Sequence, residues 1–351
     1  MSQSRQQVYK THLSSPEKPL RPILTLLNGD ASWLMSFPRP KDEQASSGKL
    51  FFHVVFEPWL QGDATMLGAW FFNITSSAKP DINDVAAVER VIREIEDAAA
   101  CHLPPTQVST ETKNTAHQGN IDAILLSFHY LDHIHKPTLL TFDPRIPVIA
   151  TPEAAAIIKP WSHFTTISLS HDLDSPTTVW KSPDLHPENF PDWLTVLRMP
   201  GHAELNFCTA LIWSHQTDTN EEIHETIIIS PHGTRSGEGP LDGFLNAEPK
   251  TEMLTLLHGL KEGHSALSGQ TKLGAKGGLA LYRKIGGAKS WILNHDNDFK
   301  YAGLFLWVNY SYDLPRSMEW ALEEEQKEYE RSGDIESPNF IKVGNGGAVV
   351  L

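Results

Sequence analysis

Imidazole and carboxylate groups crowd one short stretch of this chain, Ser127-Phe128-His129-Tyr130-Leu131-Asp132-His133-Ile134-His135. It directly follows Ile121-Asp122-Ala123-Ile124-Leu125-Leu126, a largely apolar run that reads as a buried strand. Open α/β sheets build their sites beyond the carboxyl ends of strands, so such a strand puts metal-ligand chemistry at that edge. Borderline metals such as zinc take neutral imidazole and carboxylate ligands. A polar Asp132-His133 pair placed directly after a buried strand needs partners in any case.

The elements that position this stretch must come from a chain of 351 residues, enough for one large α/β domain or two smaller ones. An apolar fraction of 40%, with 15 Phe and 10 Trp, excludes a disordered protein. A formal charge of −14 argues against a nucleic-acid partner, because phosphate backbones are met by basic surfaces. Two cysteines, Cys101 and Cys208, make no disulfide framework and no zinc finger, and suit a reducing compartment. Met1 to Pro22 is polar without an apolar signal core, and no apolar run approaches the roughly 20 residues of a membrane span. The expectation is a soluble, cytoplasmic protein with no membrane partner.

Residues 1–20 read as a disordered N-terminal tail, 21–315 as the functional domain, and 316–351 as a C-terminal helix with a flexible tail. Leu24–Leu27 and Ala31–Phe37 flank Asn28-Gly29-Asp30 as a hairpin, and Leu50–Phe56 is a third strand. Residues 38–49 and 61–83 read as loops, and 102–120 as a Pro/Thr/Asn/Gly-rich surface insertion. A helix follows Ile82-Asn83-Asp84, with apolar spacing at Val85, Val88, Val91, Ile92 and Ile95. Another helix runs through Thr138-Leu139-Leu140, and Thr151-Pro152-Glu153 opens one with Thr as N-cap. Strand signals recur at Val148–Ala150, Phe164–Leu169, Thr178–Trp180, Leu194–Leu197, Cys208–Ser214, Thr226–Ile229 and Trp291–Leu293. Helices are expected at Glu252–Leu257, Gly277–Ile285 and Ser317–Ser332.

Three further segments end in histidine: Met199-Pro200-Gly201-His202, Ile227-Ile228-Ile229-Ser230-Pro231-His232-Gly233, and Trp291-Ile292-Leu293-Asn294-His295-Asp296. With Asp132-His133 they resemble, in order and spacing over residues 23–305, the motifs of the metallo-β-lactamase fold superfamily. Within it they are similar to the lactonase-like branch and to fungal proteins of unassigned substrate. The resemblance implies an α/β fold, a four-layer αββα sandwich with its site on the edge between two sheets. It also implies Asp132, His133, His202, His232 and His295 as metal ligands, with Zn2+ as cofactor. His232 stands near the place of the family's bridging aspartate, and Glu57 near a structural aspartate that buttresses the site. His129 and His135 flank the motif, while His258 and Asp296 are outside candidates. Seventeen histidines are a rich supply, so any one of them alone is more simply a surface or hydrogen-bonded core residue.

The motif departs from His-x-His-x-Asp-His, because Phe128 and Tyr130 occupy the first two histidine positions. Phenylalanine cannot ligate, and a phenol with a pKa of about 10 rarely ligates zinc. One family site keeps only His202, while the other keeps Asp132, His133 and His295 with His232 as fourth. A single ion is the simplest inference, and an empty site stands beside it. With an open position the site is that of a metal-dependent hydrolase of a small ester, lactone or phosphoester, Asp132 ligating or acting as general base. With four ligands it is closed and structural. The alternative is a degenerate, non-catalytic member that binds a ligand or partner. Other motifs carry little: Gly274-Ala275-Lys276-Gly277-Gly278 is a lone glycine cluster, and neither a phosphate loop nor a Gly-x-Ser-x-Gly elbow occurs. Ser214-His215 and Ser230…His232 make no hydrolytic triad, and the Glu323–Glu328 run is a solvated helix face.

Overall fold

The computed structural model describes residues 4–103, 119–173, 179–217, 219–237, 239–328 and 336–351. The chain is mixed α/β and forms two compact units, one of residues 1–64, 75–169 and 343–351, the other of 65–74 and 170–342.

The first unit is built on a seven-stranded sheet. Its strand order is Ala348–Val350, Ile23–Leu26, Trp33–Pro38, Phe51–Phe56, Ala123–Leu126, Val148–Ala150 and Ile167–Leu169. The expected hairpin is present, with Leu26 opposite Trp33, and Trp33–Pro38 pairs antiparallel to Phe51–Phe56. From Phe51–Phe56 onward the pairing is parallel, so these strands end on one edge. Their faces are buried throughout, as parallel strands between covered faces require. The helix Val85–Ala99 supplies one cover. Asp84 caps it by accepting from Ala87 N (2.6 Å), and its stripe of Val88, Val91, Ile92, Ile95 and Ala99 joins the core. Thr151 caps Pro152–Ile158 in the same way, so the strand Val148–Ala150 runs straight into a second covering helix.

Both chain ends are tied into this unit. Residues 1–20 were expected to be a tail, yet Arg5–Leu13 is a helix that buries Val8, Tyr9 and Leu13. Tyr9 Oη hydrogen-bonds Thr25 Oγ1 (2.7 Å), and Arg5 pairs with Glu94 (2.8 Å) and Asp81 (3.3 Å). The carboxyl end, read as flexible, closes the sheet: Ala348–Val350 pairs antiparallel with Ile23–Thr25.

The second unit carries a seven-stranded sheet ordered Phe340–Ile341, Ser290–Leu293, Glu252–His258, Glu222–Ile229, Asn206–Gln216, Leu194–Ala203 and His171–Asp172. Helices Gly239–Asn246, Gly274–Lys284 and Met318–Glu328 share its core, with Leu241, Leu279 and Ala321 packed beside Leu256 and Trp291. Glu252–Leu257, expected as a helix, is a central strand parallel to both neighbours. The flanking strands override a helical preference that seven residues are too few to enforce. Other departures are smaller. A helix, Lys41–Ser47, occupies the 38–49 loop, and strands Ala64–Met66 and Phe72–Ser76 lie within 61–83. The helix expected from Gly277 begins at Gly274, and the one expected from Ser317 spans Met318–Glu328, its further residues lying outside the described ones. Most of the 102–120 insertion, and Thr178, also lie outside them, and Val179-Trp180 is not a strand. Among the described residues no helix is long and apolar enough to cross a membrane.

The N-terminal helix gives the first prediction. Tyr9→Ala removes a fully buried ring and leaves the Thr25 hydroxyl unpaired, so it should lower the unfolding free energy by about 3 kcal/mol. Urea denaturation followed by circular dichroism reads this, and an unchanged midpoint would mean that residues 5–13 contribute nothing to the fold.

Candidate metal site

In the first unit the site begins with a carboxylate. Glu57 follows the Phe51–Phe56 strand with φ 45°, a left-handed conformation that costs a non-glycine residue about 1 kcal/mol or more. Its backbone N–H donates to Leu125 O (3.0 Å), the neighbouring strand, and its carbonyl accepts from Ser32 Oγ (2.7 Å). The buried carboxylate then collects the chain just past Ala123–Leu126. Ser127 N–H (3.2 Å) and Ser127 Oγ (2.6 Å) donate to Oε1, and His133 Nδ1 donates to Oε2 at 2.5 Å. Glu57 thus takes up Nδ1 of His133, and Nε2 lies 3.6 Å from Asp132 Oδ2.

Burial of His133 opposes its positive charge, but the Glu57 carboxylate, then Asp132 and Asp30, outweigh that effect and raise its pKa to about 9. A metal at Nε2 must therefore displace a proton. Asp132 is only part-buried. Phe128 is fully buried and sets its ring edge-on to His133 (centroids 5.0 Å, 73°) and to Tyr130 (4.5 Å, 85°). His129 is half-buried beside Phe128 and Tyr130. His135 points into the fold, bonded to Thr138 Oγ1 (2.8 Å) and Asp63 O (3.1 Å), so it serves packing.

In the second unit three neighbouring parallel strands end side by side in histidine. Glu222–Ile229 leads through Ser230-Pro231 to His232, Glu252–His258 ends on His258, and Ser290–Leu293 leads through Asn294 to His295. His295 takes the left-handed conformation (φ 55°), which swings its ring back toward His232. The two rings are buried and stacked (centroids 5.1 Å, 18°), with Nε2 to Nε2 at 3.1 Å. Two imidazoles on one tetrahedral ion, each about 2.05 Å from it, sit roughly 3.3 Å apart. The pair has the chemistry and the spacing of two ligands to one metal.

The turn under His232 is held by groups that no motif announced. Asn206 Nδ2 donates to Gly233 O (2.9 Å), and Leu273 N–H donates to His232 O (2.9 Å). His258 is a wedge beneath them: its Nδ1 donates to Gly259 O (2.6 Å), and burial lowers its pKa to about 4. A Cβ at Gly233 would stand 2.8 Å from His258 Nε2, and one at Gly278 would stand 2.7 Å from Nδ1 and 2.5 Å from the Trp291 ring. Both positions need glycine because His258 lies against them. His202 is half-buried near the irregular end of Leu194–Ala203, after Gly201, whose Cβ would collide with Asn206 O and Thr234 Oγ1. Neither Asp132 nor His202 belongs to any group of three ligand atoms within 4.8 Å of one another among the described residues. Asp296 accepts from Leu260 and Lys261 N–H (2.8 Å each), so it shapes a loop.

The two shifted histidines predict a pH profile for the metal-free protein. His258 titrates near 4 folded and 6.5 unfolded, so the unfolded chain binds the extra proton. Its contribution, of the order of 3 kcal/mol, is present above pH 6.5 and lost as pH falls toward 4. For His133 the sign reverses: its contribution is present below 6.5 and lost as pH rises through 9. Denaturation midpoints across this range should peak near neutrality. In His258→Gln the acid limb should flatten; an acid limb as steep as in the wild type would contradict the assignment.

No protein-family model matches this sequence, and neither does any curated relative. Among solved structures it is similar to an isothiocyanate hydrolase from Delia radicum gut bacteria, at 14% identity and a TM-score of 0.49, covering 94% of this chain and 98% of that one. It is similar to a possible metal-dependent hydrolase from Veillonella parvula, at 11% identity and a TM-score of 0.45, covering 95% and 100%. It is also similar to the metallo-β-lactamase fold protein YhfI from Bacillus subtilis, at 11% identity and a TM-score of 0.39, covering 93% and 99%. At such distances these likenesses say nothing about substrate.

Proposed function

We propose that this protein is a metal-dependent hydrolase of a small ester, lactone or phosphoester, working with one ion. The observation that carries the proposal is the buried His232–His295 pair, whose Nε2 atoms stand 3.1 Å apart at the ends of two parallel strands. His133, with its tautomer set by Glu57, is proposed as their companion ligand, and the motif adds Asp132 and His202 as further candidates. Imidazole donors favour zinc over the harder cations. Zinc with an open position supplies Lewis-acid polarisation of a carbonyl or phosphoryl oxygen and an acidified water. The rest falls to the chain. Glu57 holds the His133 ring, the His258 wedge and Asn206 hold the His232 turn, and Asp132 is the proposed general base.

The resemblance to the lactonase-like branch supports a small-molecule substrate, and the acidic charge argues against a nucleic-acid partner. An exposed Cys101 and a buried Cys208, both free, fit the cytoplasm. One observation favours a second reading, a ligand-binding member without catalysis. Phe128 is a fully buried packing residue where the motif has an imidazole.

Metal analysis of the purified, zinc-loaded protein should give about one zinc per chain, and less than about a third would remove the hydrolase reading. His133→Ala should lower zinc content severalfold, bring any lactone or phosphodiester hydrolysis to background, and cost more thermal stability with zinc present than without it. Phe128→His should raise the stoichiometry. His133→Ala with full metal and full activity would dismiss the site, whereas stoichiometric zinc without turnover of any such substrate would favour the binding module.

A further inference from the structure

One face of the second unit is built from three segments without a single charged side chain, residues 65–74, 265–271 and 303–312, in a chain whose net charge is −14. Backbone hydrogen bonds join them. Leu304 N–H donates to Trp70 O (3.0 Å), Phe305 N–H donates to Phe71 O (2.9 Å), and Ala266 N–H donates to Tyr310 O (2.9 Å). Asn309 Oδ1 accepts from Leu267 N–H (3.2 Å). Gly303, at φ 112°, lets the chain come this close: a Cβ there would stand 2.3 Å from Phe71 O. Half-buried Phe71, Phe72 and Phe305 stack beneath (centroids 5.6–5.8 Å), so the face is a packed ledge rather than a loose loop.

On the ledge the large apolar side chains face water. Trp307 is 88% exposed, Trp70 and Tyr310 are 65% exposed, and Leu267, Leu304 and Val308 are each more than half exposed. With large side chains carrying roughly 150–250 Å2 each, these six expose on the order of 800 Å2. That exceeds the ~300–600 Å2 of the largest apolar patch on an ordinary monomer. It equals the ~800 Å2 that each side of a standard protein interface contributes.

We propose that this ledge is the contact between two copies of the chain about a twofold axis. Two copies carry like charge, so they repel wherever charged surface meets charged surface. A charge-free face escapes that repulsion, and a twofold contact needs only a surface that suits itself. A different protein would be selected by complementary charges, and the ledge offers none.

Sedimentation velocity on the full chain, from about 1 to about 100 µM, tests this. The expected result is a dimer whose dissociation constant rises at least tenfold in Trp307→Glu and in Tyr310→Lys, with circular dichroism and melting temperature unchanged. Both side chains are largely in solvent, so neither change should disturb folding, and a variant that does unfold is replaced by the other. A wild type that stays monomeric at the highest concentration overturns the proposal, as does a dimer indifferent to both substitutions. Monomeric wild type that co-sediments with phosphatidylcholine vesicles, and loses this in Trp307→Glu, assigns the ledge to a lipid surface instead.

Discussion

The hydrogen bond between Glu57 and His133 is the constraint on which the candidate residues of the first unit depend. A carboxylate this deeply buried is tolerable only if its oxygens are satisfied, and three donors from one short stretch satisfy them. Those donors come from Ser127 and His133, so the carboxylate also decides where the chain goes after its strand. Glu57 adopts a left-handed backbone to reach them, and Ser32 and Leu125 hold that conformation from two neighbouring strands. Local strain is thereby exchanged for a fixed imidazole. The arrangement favours the charged form of His133, whose pKa is raised to about 9.

The second unit holds its own candidate histidines with an uncharged device. His258 is buried so thoroughly that it stays neutral, and its value is its shape. Gly233 and Gly278 lack side chains where they meet it: a Cβ at Gly233 would press on His258 and Leu273, and one at Gly278 on Trp291 and His258. Larger side chains there would have to displace an imidazole clamped to Gly259 O. A polar pair in the first unit and a steric fit in the second each hold an imidazole still.

Much of this was legible in the sequence, for definite reasons. Apolar runs with abrupt polar ends located Ala123–Leu126, Glu222–Ile229 and Ser290–Leu293, because a strand buried on both faces leaves an unbroken apolar signature. The same signature failed at Glu252–His258: Met253-Leu254-Thr255-Leu256-Leu257 has neither the alternation of a half-buried strand nor enough length to exclude a helix. Terminal elements were hidden by composition. Arg5–Leu13 buries three of its nine residues, a stripe too narrow to stand out in a polar segment. Glu57 was a candidate only through resemblance, and Asn206 was not one at all, since a donor to a backbone carbonyl has no sequence pattern. In the apolar 303–312 segment only the exposure of the side chains separates a surface from an interior.

Phe128 shows how a motif can lose a ligand and keep its architecture. An imidazole at that position would be polar and would need partners; the phenyl ring needs none and fills the space with edge-on contacts to His133 and Tyr130. The phenyl ring offers no coordinating group at position 128 and packs edge-on against His133 instead, while the Asp132 carboxylate beside them stays only part-buried.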